Sequence, residues 1–377
     1  MAFQVSPGVN TSEIDLTNVV VAAGTSTGGA VGRFRWGPIE DVTLVTDEDN
    51  LVELFQKPND DNFNDFFTAA NFLSYSNACQ VVRAANTTVG DASAPKNAAA
   101  ITSGTYGNVQ ITDSDAYYNN YDDEYGGSTV YGSTAPVIAK WAGVLGNSLR
   151  MGICPADKPA SVGNLTGTVS WNQTSGALTG SGTNFQGELS VGDLITITTA
   201  TGAFVVISIA DATNCVVRAK SHTAAISAKA FQRLKRSSFE QPAAHCIGTV
   251  TTTADSKTVT GSGSYFSTQL VVGDLITIGG ETRKVTAIAS ATSLTVKDNF
   301  IGANAAATWE RKWEFAAAFN EGAPTTSDTA ADADLECDEI HVAIVDEDGE
   351  WTGSIGEVIE AWPNLSVMKG AKSPDGE

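Results

Sequence analysis

The chain is poor in the residues that catalysis most often uses. Its 377 residues include three histidines, His222, His245 and His341, and none stands beside a serine or cysteine in a nucleophile motif. There is no G-x-S-x-G elbow, no G-x-x-x-x-G-K-[ST] loop, no G-x-G-x-x-G after a strand and no H-E-x-x-H. Carboxylates that could pair for glycoside hydrolysis are numerous, but acids in such number on an acidic surface read as solvated. The expectation is a protein that is not an enzyme and has no cofactor and no metal.

Other scarcities narrow the class. The five cysteines, Cys79, Cys154, Cys215, Cys246 and Cys337, are odd in number, scattered and never spaced as C-x-x-C. That argues against a disulfide framework or zinc site and predicts reduced, mostly buried thiols in a protein assembled in the cytoplasm. No apolar run approaches the ~20 residues that span a membrane. The amino terminus has no basic segment followed by an apolar one, so neither membrane insertion nor a secretion signal is expected. Basic residues are few: 22 Lys and Arg stand against 43 Asp and Glu, for a net charge of -21 and a pI near 4.4. Such a chain repels a phosphate backbone, and its one basic cluster, Arg233, Lys235 and Arg236, is too small to reverse that. The charge argues against nucleic acid as a partner, and none is expected.

What is present begins with three blocks in fixed order. The first is Ser6-Pro7-Gly8-Val9, followed by Glu13 and an extended stretch with β-branched Val9, Thr11, Ile14, Thr17, Val19, Val20 and Val21. Pro7 biases Ser6 toward an extended backbone and Gly8 permits a sharp turn. The second block is Gly32-Arg33-Phe34-Arg35-Trp36-Gly37-Pro38. The third runs from Phe66 through Asn71-Phe72-Leu73 to Tyr75 and leads into Gln80-Val81-Val82-Arg83-Ala84.

Between and around these blocks, helix signals recur. Thr46 is the predicted N-cap of a helix lined by Leu51, Leu54 and Phe55 and stopped by Pro58. Asn62 is the predicted cap of a second helix, in which Phe63, Phe66, Phe67, Ala70 and Leu73 form an apolar stripe facing a core. The helix is expected to fray near 74–77, and Gln80–Ala84 returns as a strand.

In order and spacing, these blocks resemble the amino-terminal part of the tail sheath proteins of contractile-tailed bacteriophages. The residues that carry the resemblance are Gly32, Phe34, Trp36, Gly37, Pro38, Asn71, Phe72, Leu73, Val81, Val82 and Arg83. Val45-Thr46, Leu51-Val52, Phe55 and Pro58 match at the corresponding place. Ala142–Arg150, with Gly143, Gly146-Asn147 and Leu149, resembles the sheath segment that enters a strand, here Leu149–Cys154. The resemblance covers 1–84 well, 141–153 moderately and 313–365 loosely. In sheath proteins an amino-terminal arm pairs with a neighbouring subunit, which implies that role for Pro7, Gly8, Val9, Ile14, Val19, Val20 and Val21. Read from the residues alone, the same stretch is equally an edge strand of the chain's own domain.

The middle of the chain repeats itself. Gly167-Thr168-Val169 recurs as Gly248-Thr249-Val250, an offset of 81 (248 − 167). Thr179–Phe185 recurs at Thr260–Phe266, and Leu189–Ile197, with Gly192-Asp193 turning into Leu-Ile-Thr-Ile, recurs at Leu270–Ile278. Ile209 and Ile288 match at 79, a two-residue loop difference. Each copy reads as short strands broken by Gly, Asp and Ser turns, hence a small barrel or sandwich. Polar threonine-rich surfaces of this kind either bind glycan or partner proteins or merely decorate a surface.

The predicted fold class is α+β. A sheath-type mixed α/β core domain is interrupted by a pair of small all-β modules and preceded by an extended arm. The expected organisation is an arm at 1–22; a first core part at 23–162, loop-rich over 85–140; module copies at 163–236 and 244–312; and a second core part at 313–377. The acidic, aromatic run 117–125 is expected as an exposed loop. A strand pair is expected near Trp313–Phe315 and Glu339–Val345. Asp346–Glu350 is expected as a hairpin turn into Trp351–Glu360; its likeness to a calcium loop fails because the next alternate ligand and closing Glu are out of place. Sheath proteins carry a tube-facing carboxy-terminal region. This chain stops at Pro374–Glu377, as a fragment or split subunit would.

The resemblance implies a structural subunit of the virion, assembled in the host cytoplasm. Its partners would be further copies, in a helical stack of hexameric rings, together with a tail tube and baseplate. It would contract to drive the tube through the host envelope for genome delivery. The rival class is a surface adhesin or glycan-binding protein that uses the repeated modules.

Overall fold

The computed structural model describes residues 27–88, 93–100, 110–120, 137–368 and 371. The arm residues Pro7, Gly8, Val9, Ile14, Val19, Val20 and Val21 lie outside them, as do 121–125 of the acidic run. The protein is mostly β with few, short helices, an α+β fold in the broad sense. Among the described residues no helix is long and apolar enough to cross a membrane. The chain divides into two units, Met1–Arg150 with Asp346–Glu357, and Met151–Val345 with Val358–Glu377.

The first unit starts with β1 (Gly28–Gly32), β2 (Val42–Val45), α1 (Glu48–Phe55), α2 (Phe63–Leu73) and β3 (Cys79–Arg83). The sheet order is β1-β3-β2, with β1 parallel and β2 antiparallel to β3. Helix-facing Val45, Cys79 and Val81 pack on Leu51, Phe55, Phe66, Ala69, Ala70 and Leu73.

Two details differ from the sequence expectation. The α1 cap is Asp47, whose carboxylate accepts from Asn50 N at 2.8 Å while Thr46 Oγ1 donates to it; a carboxylate one residue later displaces the weaker hydroxyl. Asn62 does stand at the α2 start, but its Oδ1 accepts from Asn59 N and caps nothing in the helix. The stripe is also narrower than expected, since Phe63 and Phe67 stay half exposed. A helix on one sheet buries one face, and 66, 69, 70 and 73 fill it.

Further on, β4 (Ala99–Ala100) pairs with β5 (Val137–Ile138), and α3 (Ser114–Asn120) lies between them in sequence. The first part of the expected acidic loop is therefore helical, started by Asp113, which accepts from Ala116 N.

In the second unit, β6 (Leu149–Pro155) is followed by β7 (Thr168–Trp171), β8 (Ala177–Ser181), α4 (Phe185–Glu188), β9 (Leu194–Ile197), β10 (Phe204–Ile209), β11 (Asn214–Ala219), β12 (Ile226–Lys229) and β13 (Phe231–Arg233). Strands β7 to β13 form one sheet in the order β12-β7-β8-β11-β10-β9-β13. Its two edges, β12 and β13, are separated by one residue of chain. A flat sheet cannot satisfy that, so this one curls until its edges approach, around Trp171, Phe185, Phe204 and Phe231.

Next come β14 (Glu240–Gln241), β15 (Thr249–Thr252), β16 (Thr258–Ser262), α5 (Phe266–Gln269), β17 (Leu275–Ile278), β18 (Glu281–Ser290), β19 (Ser293–Val296), β20 (Asn304–Ala307) and β21 (Trp309–Lys312). Their order is β14-β21-β17-β18-β19-β16-β15-β20. Apart from β14, this is the order of the preceding sheet read from the other edge, and β20 and β21 are again one residue apart. Phe266, Phe300 and Trp309 centre its core.

Finally α6 (Asp328–Asp332) precedes β22 (Glu339–Asp346) and β23 (Glu357–Ser366), which form the sheet β23-β22-β6. Trp313–Phe315 is not the expected strand. Trp313 and Phe315 turn into a core with Cys154, Phe239, Phe319, Ala343 and Val345. The return strand likewise starts at Glu357, not Trp351.

Candidate functional site

The Gly32–Pro38 block becomes a loop built around one buried cation. Arg83, at the end of β3, donates from Nε to Phe34 O at 2.9 Å, from Nη1 to Gly37 O at 2.8 Å and from Nη2 to Arg35 O at 3.4 Å. Three carbonyls that no strand pairs are thus satisfied by charge-assisted bonds. Burial brings the Arg83 pKa down to about 10, which leaves the guanidinium charged at neutral pH. Gly37 has φ of +96°, and a Cβ there would come within 2.8 Å of the Phe55 ring. Only glycine lets the loop close on α1.

The other block residues pack the same element. Phe34 lies on Phe55 with ring centroids 4.7 Å apart. Gly32 leaves room for Asp65, which accepts from Arg33 N at 2.9 Å and is held below the usual carboxylate range chiefly by that bond. Pro38 is buried. Phe72 fills the space a Cβ on Gly28 would need, Leu73 and Val81 are core, and Asn71 is exposed. Val82 points to the opposite face of the sheet.

A second anchor lies in the same unit. Asp346 is fully buried, and its Oδ2 accepts from Trp351 N, Thr352 N and Thr352 Oγ1, its Oδ1 from Gly349 N and Ser148 Oγ. Burial alone would raise its pKa; the Thr352 and Trp351 amides outweigh that and hold it below the ordinary value. This carboxylate shapes 346–356, the connection between the neighbouring strands β22 and β23, which is why β23 starts at Glu357 and not at Trp351. The loop brings Trp351 edge-on to Trp36 at 5.0 Å and Glu350 to Arg35. Block residues far apart in sequence are therefore brought into one framework by two charged side chains. It is a fastening.

No protein-family model matches the chain. Part of it is similar to tail sheath proteins. The tail sheath protein of Vibrio phage KVP40 is 40% identical over 90 residues, 24% of this chain and 13% of that protein. Those of Enterobacteria phage T4 and Salmonella phage ViI are 37% identical over 90 residues and 42% over 83, covering 24% and 22% of this chain. The match spans 14% and 13% of those two proteins, so only about one seventh of each relative is represented.

In the second unit the repeated residues occupy equivalent places. Gly180 N donates to Thr213 O and Gly261 N to Thr292 O; Thr183 Oγ1 donates to Ala212 O and Ser264 Oγ to Ala291 O. Gly167 and Gly248 have φ of +81° and +77°. Asp193 and Asp274 are both buried. Each accepts through Oδ2 from the amide three residues earlier, Ser190 N at 2.9 Å and Val271 N at 2.8 Å.

The sequence marks these aspartates as turn residues; it does not reveal that they are buried charges. Their retention at one offset was the available signal. The basic cluster is also spent internally: Arg233 donates to Pro159 O and Glu188 O, Lys235 pairs with Asp157 and Arg236 approaches Asp193.

Two of the three histidine rings accept or donate hydrogen bonds within the fold. His341 is buried, stacked on Phe319 at 4.4 Å; its Nδ1 accepts from Asn364 N, so Nε2 carries the proton donated to Gly322 O. His222 Nδ1 accepts from Thr201 N. Among the described residues no three His, Cys, Asp or Glu side chains gather to hold a metal ion. Cys79, Cys154, Cys215 and Cys246 are buried free thiols, and Cys337 is half-buried.

Proposed function

We propose that this chain is a structural, non-enzymatic subunit of a contractile phage tail sheath. Similarity of about 40% identity over some 90 residues to three sheath proteins carries the reading. On this reading copies assemble as a helical stack of hexameric rings around a tail tube, joined to a baseplate in the virion. Contraction moves between two packings of the same subunits and drives the tube through the host envelope. The Arg83 and Asp346 fastenings support it, because a subunit that transmits force needs a stiff unit behind its contacts. The net charge of -21 makes neighbouring copies repel at long range, softened by salt over about 10 Å.

The two curled sheets are read as a duplicated module, 163–236 and 244–312, that interrupts the core and projects away from the tube. Residues 1–22 are read as the arm that pairs with a neighbour's sheet edge. Two deletions test this. Replacing 163–312 by a short Gly/Ser linker should leave polymerisation intact, and removing 1–22 should leave a cooperatively melting subunit that no longer polymerises. Assembly lost in the first case, or retained in the second, contradicts the assignment.

A further inference from the structure

One buried carboxylate of the second unit is only half satisfied. The Asp157 side chain is 4% exposed, and its Oδ2 accepts from Lys235 Nζ at 2.9 Å. Its Oδ1 finds no hydrogen-bond partner among the described residues. A buried acceptor of this kind costs stability until something donates to it. The backbone around it is fixed. Asp157 N donates to Pro324 O and Cys337 Sγ to Asp157 O, while Lys158 and Arg236 exchange both their backbone bonds and so set Lys235 beside Asp157. Asp157 also forms part of the wall of a cavity of about 310 Å³, together with Lys235, Ser237, Phe239, Glu240 and His245. That is the lower end of the ~300–1,000 Å³ usual for small-molecule sites.

The lining selects the chemistry of a ligand. Among the described residues no three His, Cys, Asp or Glu side chains gather for a metal ion. An anion would face the carboxylates of Asp157 and Glu240. Lys235 already neutralises Asp157, so the unpaired oxygen needs a donor and not a second cation. Ser237 Oγ accepts from Phe239 N and Glu240 N, which leaves its hydroxyl proton to give. Burial, and after it the Lys220 charge, push His245 below its ordinary value, so the ring is neutral at pH 7 and can both give and accept. A ligand whose groups each donate and accept matches such a mixed lining, and Phe239 adds an apolar part to the wall. We propose that this cavity binds a neutral polyhydroxylated ring, a hexose unit of a glycan, with one hydroxyl donating to Asp157 Oδ1. The inference goes beyond the sheath reading and does not rest on it. Most of the lining comes from 235–245, the link between the two curled sheets, so a sugar held there is compatible with ring assembly.

The test is saturation-transfer NMR on the full chain with glucose, galactose, mannose and N-acetylglucosamine. At least one of the four should receive saturation. Its affinity should fall about ten-fold in Asp157→Asn, which keeps the side chain's shape but puts a donor where the oxygen must accept. Glu240→Ala, at the exposed rim, should cost about three-fold. No transfer to any of the four sugars overturns the proposal. So does binding that Asp157→Asn leaves unchanged in a chain that melts normally, because that binding would belong to another surface, the curled sheets included. Should Asp157→Asn not fold, Glu240→Ala and His245→Ala decide: a fall in either supports the site, and unchanged affinity in both overturns it. Failure of the polymer reading would show in assembly assays and leave these affinities untouched.

Discussion

The two curled sheets share strand order, turns and a buried aspartate, yet they neutralise that aspartate differently. In the later sheet Arg311, on its own last strand, donates to Asp274 at 2.7 and 3.3 Å, and the two side chains are 10% and 3% exposed. In the earlier sheet the equivalent strand position is Arg233, opposite Ile195 as Arg311 is opposite Ile276. Arg233 turns instead to Pro159 O and Glu188 O. Asp193 receives Lys158 at 2.7 Å, from a segment ahead of the sheet, with Arg236 at 3.9 Å. A buried carboxylate must be compensated, but the fold does not dictate by which residue. One sheet holds its counter-ion internally. The other borrows it, so the 158–165 segment, bonded to Arg236, Arg233 and Phe231 through Lys158 N, Ser161 N and Leu165 N, belongs to its architecture.

The largest expected effect is at the internal pair. Arg311→Ala should destabilise the later sheet by about 3–5 kcal/mol, since it strands a buried charge. Hydrogen exchange resolved by peptide in the intact chain reads this as lost protection across β15–β21 with β7–β13 less affected. Equal loss in both sheets would break the comparison.

The shared turns should respond alike. Gly167→Ala and Gly248→Ala each place a Cβ at positive φ within 2.4 Å of backbone, Ser181 O and Ser264 N. Each should cost about 1–3 kcal/mol in its own sheet. Clearly unequal costs would argue against equivalent turns.

Raising the pH from 8 to 10 should weaken both sheets by a similar, smaller amount, about 1.4 kcal/mol each. Burial raises the thiols of Cys215 and Cys246 from 9.0 to about 12. A raised pKa contributes stability that is present below pH 9 and lost as pH rises toward 12, at about 1.4 kcal/mol per unit per thiol. Cys215→Ala should flatten that slope for the earlier sheet alone, measured by denaturant titration with peptide-resolved exchange at pH 8 and pH 10.

Lys158→Ala should give the smallest effect, about 1 kcal/mol, because Lys158 is 32% exposed and Arg236 remains nearby. A loss as large as that of Arg311→Ala would remove the distinction between internal and borrowed counter-ions.

Much of the second unit was legible because its periodicity is explicit. The Leu-Ile-Thr-Ile strands, the Gly-Asp turns and the strand from Leu149 all lie where the sequence puts them. What was hidden is which polar residues lose their water. Among 43 acids nothing local distinguishes Asp193, Asp274 or Asp346 from solvated neighbours. Their burial follows from long-range packing. The same holds for Phe63 and Phe67, which share helical spacing with core residues but find no second layer. Arg83 was visible as part of a block, whereas its grip on three carbonyls needed the loop's path.

The measurement that bears most directly on the sheath reading is electron microscopy of the parent particle at a resolution that traces β-strands. The account predicts six copies per ring around a tube, with both curled sheets on the outer surface. Copies found singly, away from any tube, with the curled sheets engaged to a sugar would contradict it.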